Sequence, residues 1–246
     1  MIDTSIDFTG KTVCIIGGSS GIGNATAQAF RGCGAEVHVT GTRASEADYD
    51  ADGGSDLEGL TFHQLDAADD AAIMALRQKF AKLDILICSQ GMVMYKRAEF
   101  EPENFAKVVQ VNLNSLMTCA GQFYDLLKQA RGSLIIISST AAFHATVGNP
   151  GYNASKAGAA GLTRTLGKAW APDGIRVNGI APGLIATKMT KVTTDNPKRR
   201  EATIRSIPVG RIGDPDDMAG LALFLASPLA GYIVGQTIVA DGGLLL

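Results

Sequence analysis

Short apolar runs alternate with longer amphipathic or small-residue stretches along almost the whole chain. The runs are rich in Val, Ile and Leu at consecutive positions, which is typical of strands buried on both faces. Because strands that alternate with helices form parallel sheets through right-handed crossovers, this pattern predicts a Rossmann-like, doubly wound, seven-stranded parallel α/β sheet with helices on both faces. The predicted strands are 11–16, 36–40, 60–65, 83–88, 132–138, 175–180 and 237–240.

Helices are expected between these strands, and two segments break the rhythm. Asp214 and Pro215 are the N-cap and first-turn residues expected at the start of the last helix. Residues 44–59 are acidic and glycine-rich and are expected to be mostly loop, whereas the polar residues of about 188–211 are expected to form a partly helical lid. No repeat or linker divides residues 1–246, which are therefore expected to form one domain. The predicted helices are 24–31, 69–80, 102–127, 152–170 and 215–225.

A glycine-rich turn joins the first predicted strand to the first predicted helix. Gly17 permits a tight turn, Gly21 lets a pyrophosphate approach the backbone, and Gly23 allows close helix–strand packing. The start of the helix offers free N–H groups to phosphates. A purely structural turn is the alternative. The candidate dinucleotide contacts here are Gly17, Ser19, Ser20, Gly21, Ile22 and Gly23.

The end of the second predicted strand bears on which dinucleotide is bound. An acidic residue there would bind the ribose 2′-hydroxyl of NAD, whereas an arginine nearby would accept the 2′-phosphate of NADP. The strand ends in Thr40-Gly41-Thr42-Arg43, without an acid. This favours NADP with Arg43 as the phosphate ligand; a solvated loop arginine is the alternative.

Polar residues after the third and fourth predicted strands are further candidates. Asp66, followed by Ala67, could receive the adenine amino group or cap the next helix together with Asp69. The loop that contains Ser89 and Gly91 is expected to lie against the cofactor.

The chemistry is expected at Ser139, Tyr152 and Lys156. Tyr152 and Lys156 stand four residues apart in a predicted helix, so their side chains share one face. A phenol has a pKa near ~10 in water, and a neighbouring ammonium favours the phenolate. Such a tyrosine can give a proton to a carbonyl oxygen or take one from an alcohol. Ser139 follows the fifth strand, at the sheet edge where ligands bind, and could hold the same oxygen.

Composition and charge exclude several classes of partner. The net charge of −2 gives no general attraction to nucleic acid or to an anionic membrane. The four cysteines form no metal-ligand pattern, so no metal site is expected, and apolar surroundings at Cys14 and Cys88 suit a reducing compartment. No signal peptide or membrane span is predicted, which indicates a cytoplasmic protein. The basic residues of the lid could attract an anionic substrate or carrier, or could form a solvated face.

In this order, the motifs resemble the short-chain dehydrogenase/reductase family over essentially the whole chain. A tyrosine and a lysine at this spacing are common by chance, whereas the ordered set is specific. The matching residues are Gly17, Gly21 and Gly23, then Asp66, Asn112, Ser139, Tyr152, Lys156, Pro182, Gly183 and Thr187, with Ile175-Arg176-Val177-Asn178 and Asp241-Gly242-Gly243.

The resemblance implies a role for each of these residues. Tyr152 would be the acid/base and Ser139 would hold the substrate oxygen. Lys156 would bind the nicotinamide ribose and lower the pKa of the adjacent Tyr152, and Asn112 would keep a water in a proton relay. Members are commonly tetramers, so a homotetramer or homodimer is expected, and the small-residue helix after Tyr152 suits such packing. The nicotinamide end would be held by Pro182, Gly183, Ile185 and Thr187.

Three positions depart from the family pattern. Ile16 replaces the usual threonine before the first glycine, and Ser20 replaces a basic residue often found in NADP users. The usual Asn-Asn-Ala-Gly after the fourth strand is Cys88-Ser89-Gln90-Gly91, so the hydrogen bonds that brace this strand must be made differently.

The expected activity is hydride transfer between a nicotinamide cofactor and a secondary alcohol or ketone. A 3-oxoacyl reductase that acts on a carrier- or CoA-bound chain is an alternative, supported by the basic lid. A dinucleotide-sensing protein without turnover is an alternative of another class, although such proteins usually lack the serine, the tyrosine or the lysine.

Overall fold

The computed structural model describes residues 6–52 and 55–246, and its centre is one parallel sheet. The seven strands have the order β3-β2-β1-β4-β5-β6-β7, and every pairing is parallel, which confirms the predicted fold class. The order reverses between β1 and β4, so a crevice opens there at the carboxyl edge. The strands are β1 (Thr12–Ile16), β2 (Glu36–Gly41), β3 (Thr61–Gln64), β4 (Ile85–Cys88), β5 (Ser133–Ile137), β6 (Arg176–Pro182) and β7 (Thr237–Ala240).

Helices cover both faces because the inner strands are apolar on both sides. Along β1, Val13 and Ile15 belong to one hydrophobic core, and Cys14 and Ile16 belong to the other. The first core includes side chains of α1 and α8, and the second includes side chains of α2, α4 and α5. The helices are α1 (Gly21–Gly32), α2 (Asp70–Arg77), α3 (Pro102–Val109), α4 (Ser115–Ala130), α5 (Pro150–Trp170), α6 (Lys191–Thr194), α7 (Pro197–Ser206) and α8 (Pro215–Ala226).

The predicted helix over 102–127 contains a wider turn. Residues Gln110–Asn114 form a π-helical turn between α3 and α4. Fully buried Asn112 lies in this turn, where its Oδ1 accepts a hydrogen bond from the Met92 N–H at 2.8 Å and its Nδ2 donates to the Met92 carbonyl at 2.9 Å. The turn thus places the amide where it pairs with the loop after β4, in keeping with the frequent occurrence of π turns at functional sites.

The two irregular segments have the character expected. The second crossover, between β2 and β3, contains a 3₁₀ segment at Glu46–Asp52, and residues 53–54 of the predicted loop lie outside the described residues. The segment predicted to be a lid, about 188–211, contains a 3₁₀ turn at Lys188–Thr190 followed by α6 and α7. Helix α8 begins with the predicted cap, in which the side chains of Asp214 and Asp217 form a capping box.

Small residues of α5 allow close packing within the chain, as at Gly167, where a Cβ atom would lie 2.6 Å from Gly235. A Cβ atom at Gly158 would lie 2.7 Å from a methyl carbon of Leu113, so the glycine admits a side chain of the π turn. Within residues 6–52 and 55–246, no helix has the length and apolar character needed to cross a membrane.

Candidate active site

A cavity of about 440 Å³ opens at the carboxyl edge of the sheet, where the strand order reverses. Loops after six strands, together with α3 and α5, contribute to its walls. Among the residues predicted for the site, Arg43 and Asn112 do not line it. Those that line it are Gly17, Ser19, Ser20, Gly21, Ile22, Gly23, Asp66, Ala67, Ser89, Gly91, Ser139, Tyr152, Lys156, Pro182, Gly183, Ile185 and Thr187.

The glycine turn is shaped to receive a phosphate group. Gly17 has a φ of +77°, and a Cβ atom there would lie 2.8 Å from the backbone of Gln90. A Cβ atom at Gly23 would collide with the Gly17 carbonyl, and one at Gly21 would lie 3.2 Å from a carbon of Thr187 across the cavity. Because the side chain of Ser20 does not cap α1, N–H groups at the positive end of this helix remain available. These features fit a dinucleotide pyrophosphate.

At the end of β3, the two aspartates have separate roles. Asp69 caps α2, since its Oδ1 accepts hydrogen bonds from the N–H groups of Ala71 at 2.9 Å and Ala72 at 3.1 Å. Asp66 lines the cavity, and its Oδ1 accepts from the Ala68 N–H at 2.9 Å. Asp69 rather than Asp66 therefore caps the helix, and the side chain of Asp66 is available to a ligand. Lys107 of α3 also lines the cavity, which the sequence did not indicate.

Arg43 lies outside the lining, although Thr40, Gly41 and Thr42 belong to it. Its guanidinium lies 4.7 Å from the centre of the Tyr49 ring and donates a hydrogen bond to the Asp48 carbonyl. The predicted contact with a 2′-phosphate would require this side chain to leave Tyr49 or to act from beside the cavity.

Ser139, Tyr152 and Lys156 converge at the other end of the cavity. Lys156, 4% exposed, donates from Nζ to the Ile137 carbonyl at 2.8 Å, and its Nζ lies 5.7 Å from the centre of the Tyr152 ring. Helix α5 is tied to the end of β5, because the Ser138 hydroxyl donates to the Lys156 carbonyl at 2.9 Å.

Burial governs the electrostatics of the phenol and of the neighbouring amine. Burial raises the pKa of Tyr152, the hydrogen bond with Ser139 opposes this shift, and Tyr95 and Glu99 add to it. Burial also lowers the pKa of Lys156 to about 8. Desolvation of the phenol dominates in this arrangement, and the amine is directed at the Ile137 carbonyl, so the expected lowering of the Tyr152 pKa by Lys156 stays a prediction.

Asn112 supports the site from behind the lining. Besides its two bonds to Met92, its Nδ2 donates to the Ser155 hydroxyl at 3.2 Å, which joins the π turn to α5. Its amide is thus committed to protein partners.

The hydrogen bonds that brace the end of β4 are made by residues that differ from those of the family pattern. The N–H of Gly17, which follows Ile16, donates to the Thr40 hydroxyl at 3.0 Å. Gln90 donates from Nε2 to the Ser115 hydroxyl at 2.9 Å, and Ser115 in turn donates to the Val111 carbonyl at 2.6 Å. The Oε1 atom of Gln90 is buried without a hydrogen-bond partner among the described residues. Gln90 thus braces the end of β4 against the π turn.

Apolar side chains border the Ser139–Tyr152 end of the cavity, and the sequence left their role open. Met92 and Met189 line it, and the Tyr95 hydroxyl donates to the Met189 carbonyl at 2.6 Å, which connects the loop after β4 to the lid. Phe143 and Val192, on the loop after β5 and on the lid, are 49% and 42% exposed. Periodicity gives no signal for such loop residues, because no regular element orders them.

Comparison with known proteins places the chain in a family. Residues 17–245 match a family model described as enoyl-(acyl carrier protein) reductase. The chain is 37% identical to a 2-dehydro-3-deoxy-D-gluconate 5-dehydrogenase of Bacillus subtilis, over 98% of this chain and 97% of the relative. It is 38% identical to a 3-oxoacyl-(acyl-carrier-protein) reductase, FabG, of Rickettsia conorii, over 98% and 99%.

A solved structure, the Pseudomonas aeruginosa RhlG/NADP active-site complex, superimposes with a TM-score of 0.89 at 31% identity and covers 100% of each chain. The sequence matches, the parallel sheet and the cavity at its carboxyl edge agree with the resemblance noted in the motifs. The chain belongs to the short-chain dehydrogenase/reductase family and is an NAD(P)-dependent oxidoreductase.

Proposed function

We propose that the protein uses NADP to transfer a hydride to or from a secondary alcohol or ketone, with Tyr152 as the acid/base. The observation that carries the proposal is that Ser139, Tyr152 and Lys156 line the same cavity as the glycine turn. When bound, the cofactor supplies or accepts the hydride. The phenol of Tyr152 donates a proton to the carbonyl oxygen in reduction and takes one from the alcohol in oxidation.

Each neighbour of the phenol has a separate role. Ser139 hydrogen-bonds with Tyr152 and holds the substrate oxygen beside it. Lys156 keeps a cation near the ring and binds the nicotinamide ribose. Asn112 fixes the loop after β4 and, as a further part of the proposal, holds the backbone around a relay water.

The preference for NADP rests on the end of β2. Thr40, Gly41 and Thr42 line the cavity there, and none of residues 40–43 is an acid that would repel a 2′-phosphate. Arg43 follows directly and supplies the positive charge. The related RhlG complex contains NADP.

The proposal is tested by titrating the protein with NADPH and NADH and then supplying a panel of secondary ketones and alcohols. Tight NADPH binding with turnover supports it. Tight binding without turnover on any member would favour a dinucleotide-sensing protein. The presence of Ser139, Tyr152 and Lys156 in one cavity supports turnover.

A second candidate is reduction of a 3-oxoacyl thioester. The apolar side chains around Met92 and Met189 suit an acyl chain better than a polyhydroxy acid. The lid carries basic residues, although Arg205 pairs with Glu201 at 2.6 Å and Arg211 with Asp217 at 2.7 Å. The relative in Rickettsia is a reductase of such thioesters, whereas the relative in Bacillus subtilis is a gluconate-type dehydrogenase. Activity on small ketones or sugar acids without activity on acyl thioesters would reject this candidate.

The remaining parts of the proposal concern assembly and location. We expect a homotetramer or homodimer, supported by exposed apolar residues in the segments that precede and follow the edge strand β7, among them Tyr232 and Leu246. Light scattering after size-exclusion chromatography would measure the assembly. Cys14, Cys33, Cys88 and Cys119 are free thiols, which supports a cytoplasmic location. Residues 1–246 are proposed to act as one domain, with about 188–211 as a lid.

A further inference from the structure

Glu99 is a buried acid that the family motifs do not include. It lies in a short 3₁₀ segment, Ala98–Phe100, and is 1% exposed. In the part of the chain that the structure describes, no basic side chain forms an ion pair with it. A buried carboxylate is costly unless its oxygens are hydrogen-bonded, so its partners identify what it is for.

Three N–H donors satisfy the carboxylate, and they come from two segments of the active site. Its Oε1 accepts from the Met94 N–H at 2.9 Å and from Asn149 Nδ2 at 3.3 Å. Its Oε2 accepts from the Tyr152 N–H at 2.8 Å. Met94 belongs to the loop after β4, whereas Asn149 and Tyr152 belong to the start of α5.

Glu99 does for α5 what an N-cap side chain usually does. Asn149 occupies the N-cap position, but its side chain makes no cap hydrogen bond and donates to the Met94 carbonyl at 2.8 Å instead. The Tyr152 N–H, in the first turn of the helix, would otherwise lack a partner. A carboxylate from outside the helix satisfies it, where the positive end of the helix dipole favours a negative charge.

The fit between the carboxylate and the helix is close. A Cβ atom at Gly151 would lie 3.3 Å from Glu99 Oε2, so little room separates them. Before the 3₁₀ segment, Lys96 and Arg97 have φ values of 58° and 61°. Residues other than glycine rarely adopt this left-handed backbone conformation. The chain thus accepts local backbone strain in the turn that delivers Glu99 to this position.

We propose that Glu99 is a positioning residue for Tyr152: its carboxylate fixes the backbone of the acid/base and the facing loop, and its negative charge acts on the phenol. This inference rests on the proposed role of Tyr152 and adds a residue that acts through it. The same carboxylate holds Met94, and the neighbouring Tyr95 reaches the lid through Met189. Glu99 therefore also couples the acid/base to the substrate loop.

The charge has a measurable consequence. Burial raises the pKa of Tyr152, the hydrogen bond with Ser139 lowers it, and the charges of Tyr95 and Glu99 raise it further. Lys156 lies on the same helix, and α3, which packs on α5, adds the exposed Glu103 and Lys107. Because Glu99 opposes the phenolate, neutralising it shifts the ionisation of Tyr152 to lower pH.

The test compares Glu99→Gln with Glu103→Gln, a matched control at an exposed acid in the first turn of α3. Alcohol oxidation with NADP is measured across pH. Glu99→Gln should lower kcat by about 10- to 100-fold, since the tyrosine is misplaced. It should leave the KM for NADP within about threefold, because the glycine turn is remote, and should lower the pH midpoint by on the order of 0.5 unit. Glu103→Gln should match the wild type in all three.

A folded Glu99→Gln variant with wild-type kcat, or with an unchanged pH midpoint, overturns the inference. Should that variant not fold, Glu99→Asp decides: it keeps the charge and shortens the reach, so kcat should fall while the midpoint stays. Wild-type kcat in Glu99→Asp would then reject the positioning role. Tyr152→Phe separates the two claims. If Tyr152→Phe still turns over, the proposed function is rejected. If Tyr152→Phe is inactive while Glu99→Gln has the turnover of the wild type, only the role of Glu99 is rejected.

Discussion

The amine of Lys156 lies 5.7 Å from the centre of the Tyr152 ring, yet it donates its hydrogen bond to the Ile137 carbonyl. Both side chains line the cavity, and burial acts on both. It raises the pKa of the phenol and lowers that of the amine, so each group is shifted toward its neutral form. A charged lysine at this position therefore costs stability that an apolar residue would not.

Lys156→Met should make the protein more stable and inactive. At pH 7 the gain should be on the order of 1–3 kcal/mol, since a desolvated ammonium is removed. The pKa of Lys156 is about 8 in the folded protein and lies below its ordinary value of 10.5. Between pH 8 and 10.5 the unfolded wild type therefore binds more protons than the folded wild type. Wild-type stability therefore rises from pH 8 to 10.5, and the advantage of the variant should shrink there. Urea midpoints at pH 7 and 9.5 measure this, with exposed Lys168→Met as the control; a variant less stable than wild type at pH 7 would contradict it.

Gly21→Ala should weaken cofactor binding. The position has a φ of +55°, and its Cβ atom would lie 3.2 Å from Thr187 across the cavity. We expect a cost of about 1 kcal/mol in stability and at least tenfold weaker binding of NADPH by fluorescence titration. Gly32→Ala on the same helix meets no atom within 4 Å and should bind NADPH normally. Equal affinities in the two variants would remove the glycine turn from the cofactor site.

Arg43→Ala should reduce the preference for NADPH over NADH. A charge-assisted bond to a phosphate is worth about 1.5–3 kcal/mol, so the ratio of kcat/KM values should fall by roughly 10- to 100-fold. Arg77→Ala is a matched control, because Arg77 also donates to a backbone carbonyl, that of Phe80 at 3.1 Å, and does not line the cavity. An unchanged ratio in Arg43→Ala would show that Arg43 stays on Tyr49 and that other groups select the cofactor.

A histidine pair at the edge of the sheet predicts acid sensitivity. His38 Nδ1 and His63 Nε2 lie 3.0 Å apart, and burial, Lys79 and His38 lower the pKa of His63 from 6.5 to about 4. Because the folded pKa is depressed, this contribution to stability is complete above pH 6.5 and is lost as pH falls toward 4. Between pH 7 and 5, the wild type should lose more stability than His63→Phe. The difference should be about 1 kcal/mol or less, since His63 is only partly buried. His144 is exposed, so His144→Phe should lose as much stability as the wild type between pH 7 and 5, measured by urea midpoints. Equal losses in the wild type, His63→Phe and His144→Phe would contradict this prediction.

The sheet and most of the site could be predicted because their signals are local. Apolar runs such as Thr12–Ile16 are strands buried on both faces, and glycines at fixed spacing follow from backbone geometry. The features that could not be predicted depend on tertiary partners. The π turn at Asn112 forms around Met92, and the Lys156 amine selects a carbonyl of β5. Glu99 stands in a charged loop where nothing local distinguishes a buried acid from a solvated one.

The most direct measurement of the central claim is NADPH-dependent turnover and NADPH binding in Tyr152→Phe. The control is Tyr124→Phe, in which the lost hydroxyl bonds Asp173 at 2.6 Å, outside the cavity lining. Tyr152→Phe should bind NADPH within about threefold of wild type and lose turnover by roughly 10²–10⁴-fold, the usual contribution of a positioned proton donor. Tyr124→Phe should retain both. Turnover in Tyr152→Phe close to that of the wild type would contradict the account.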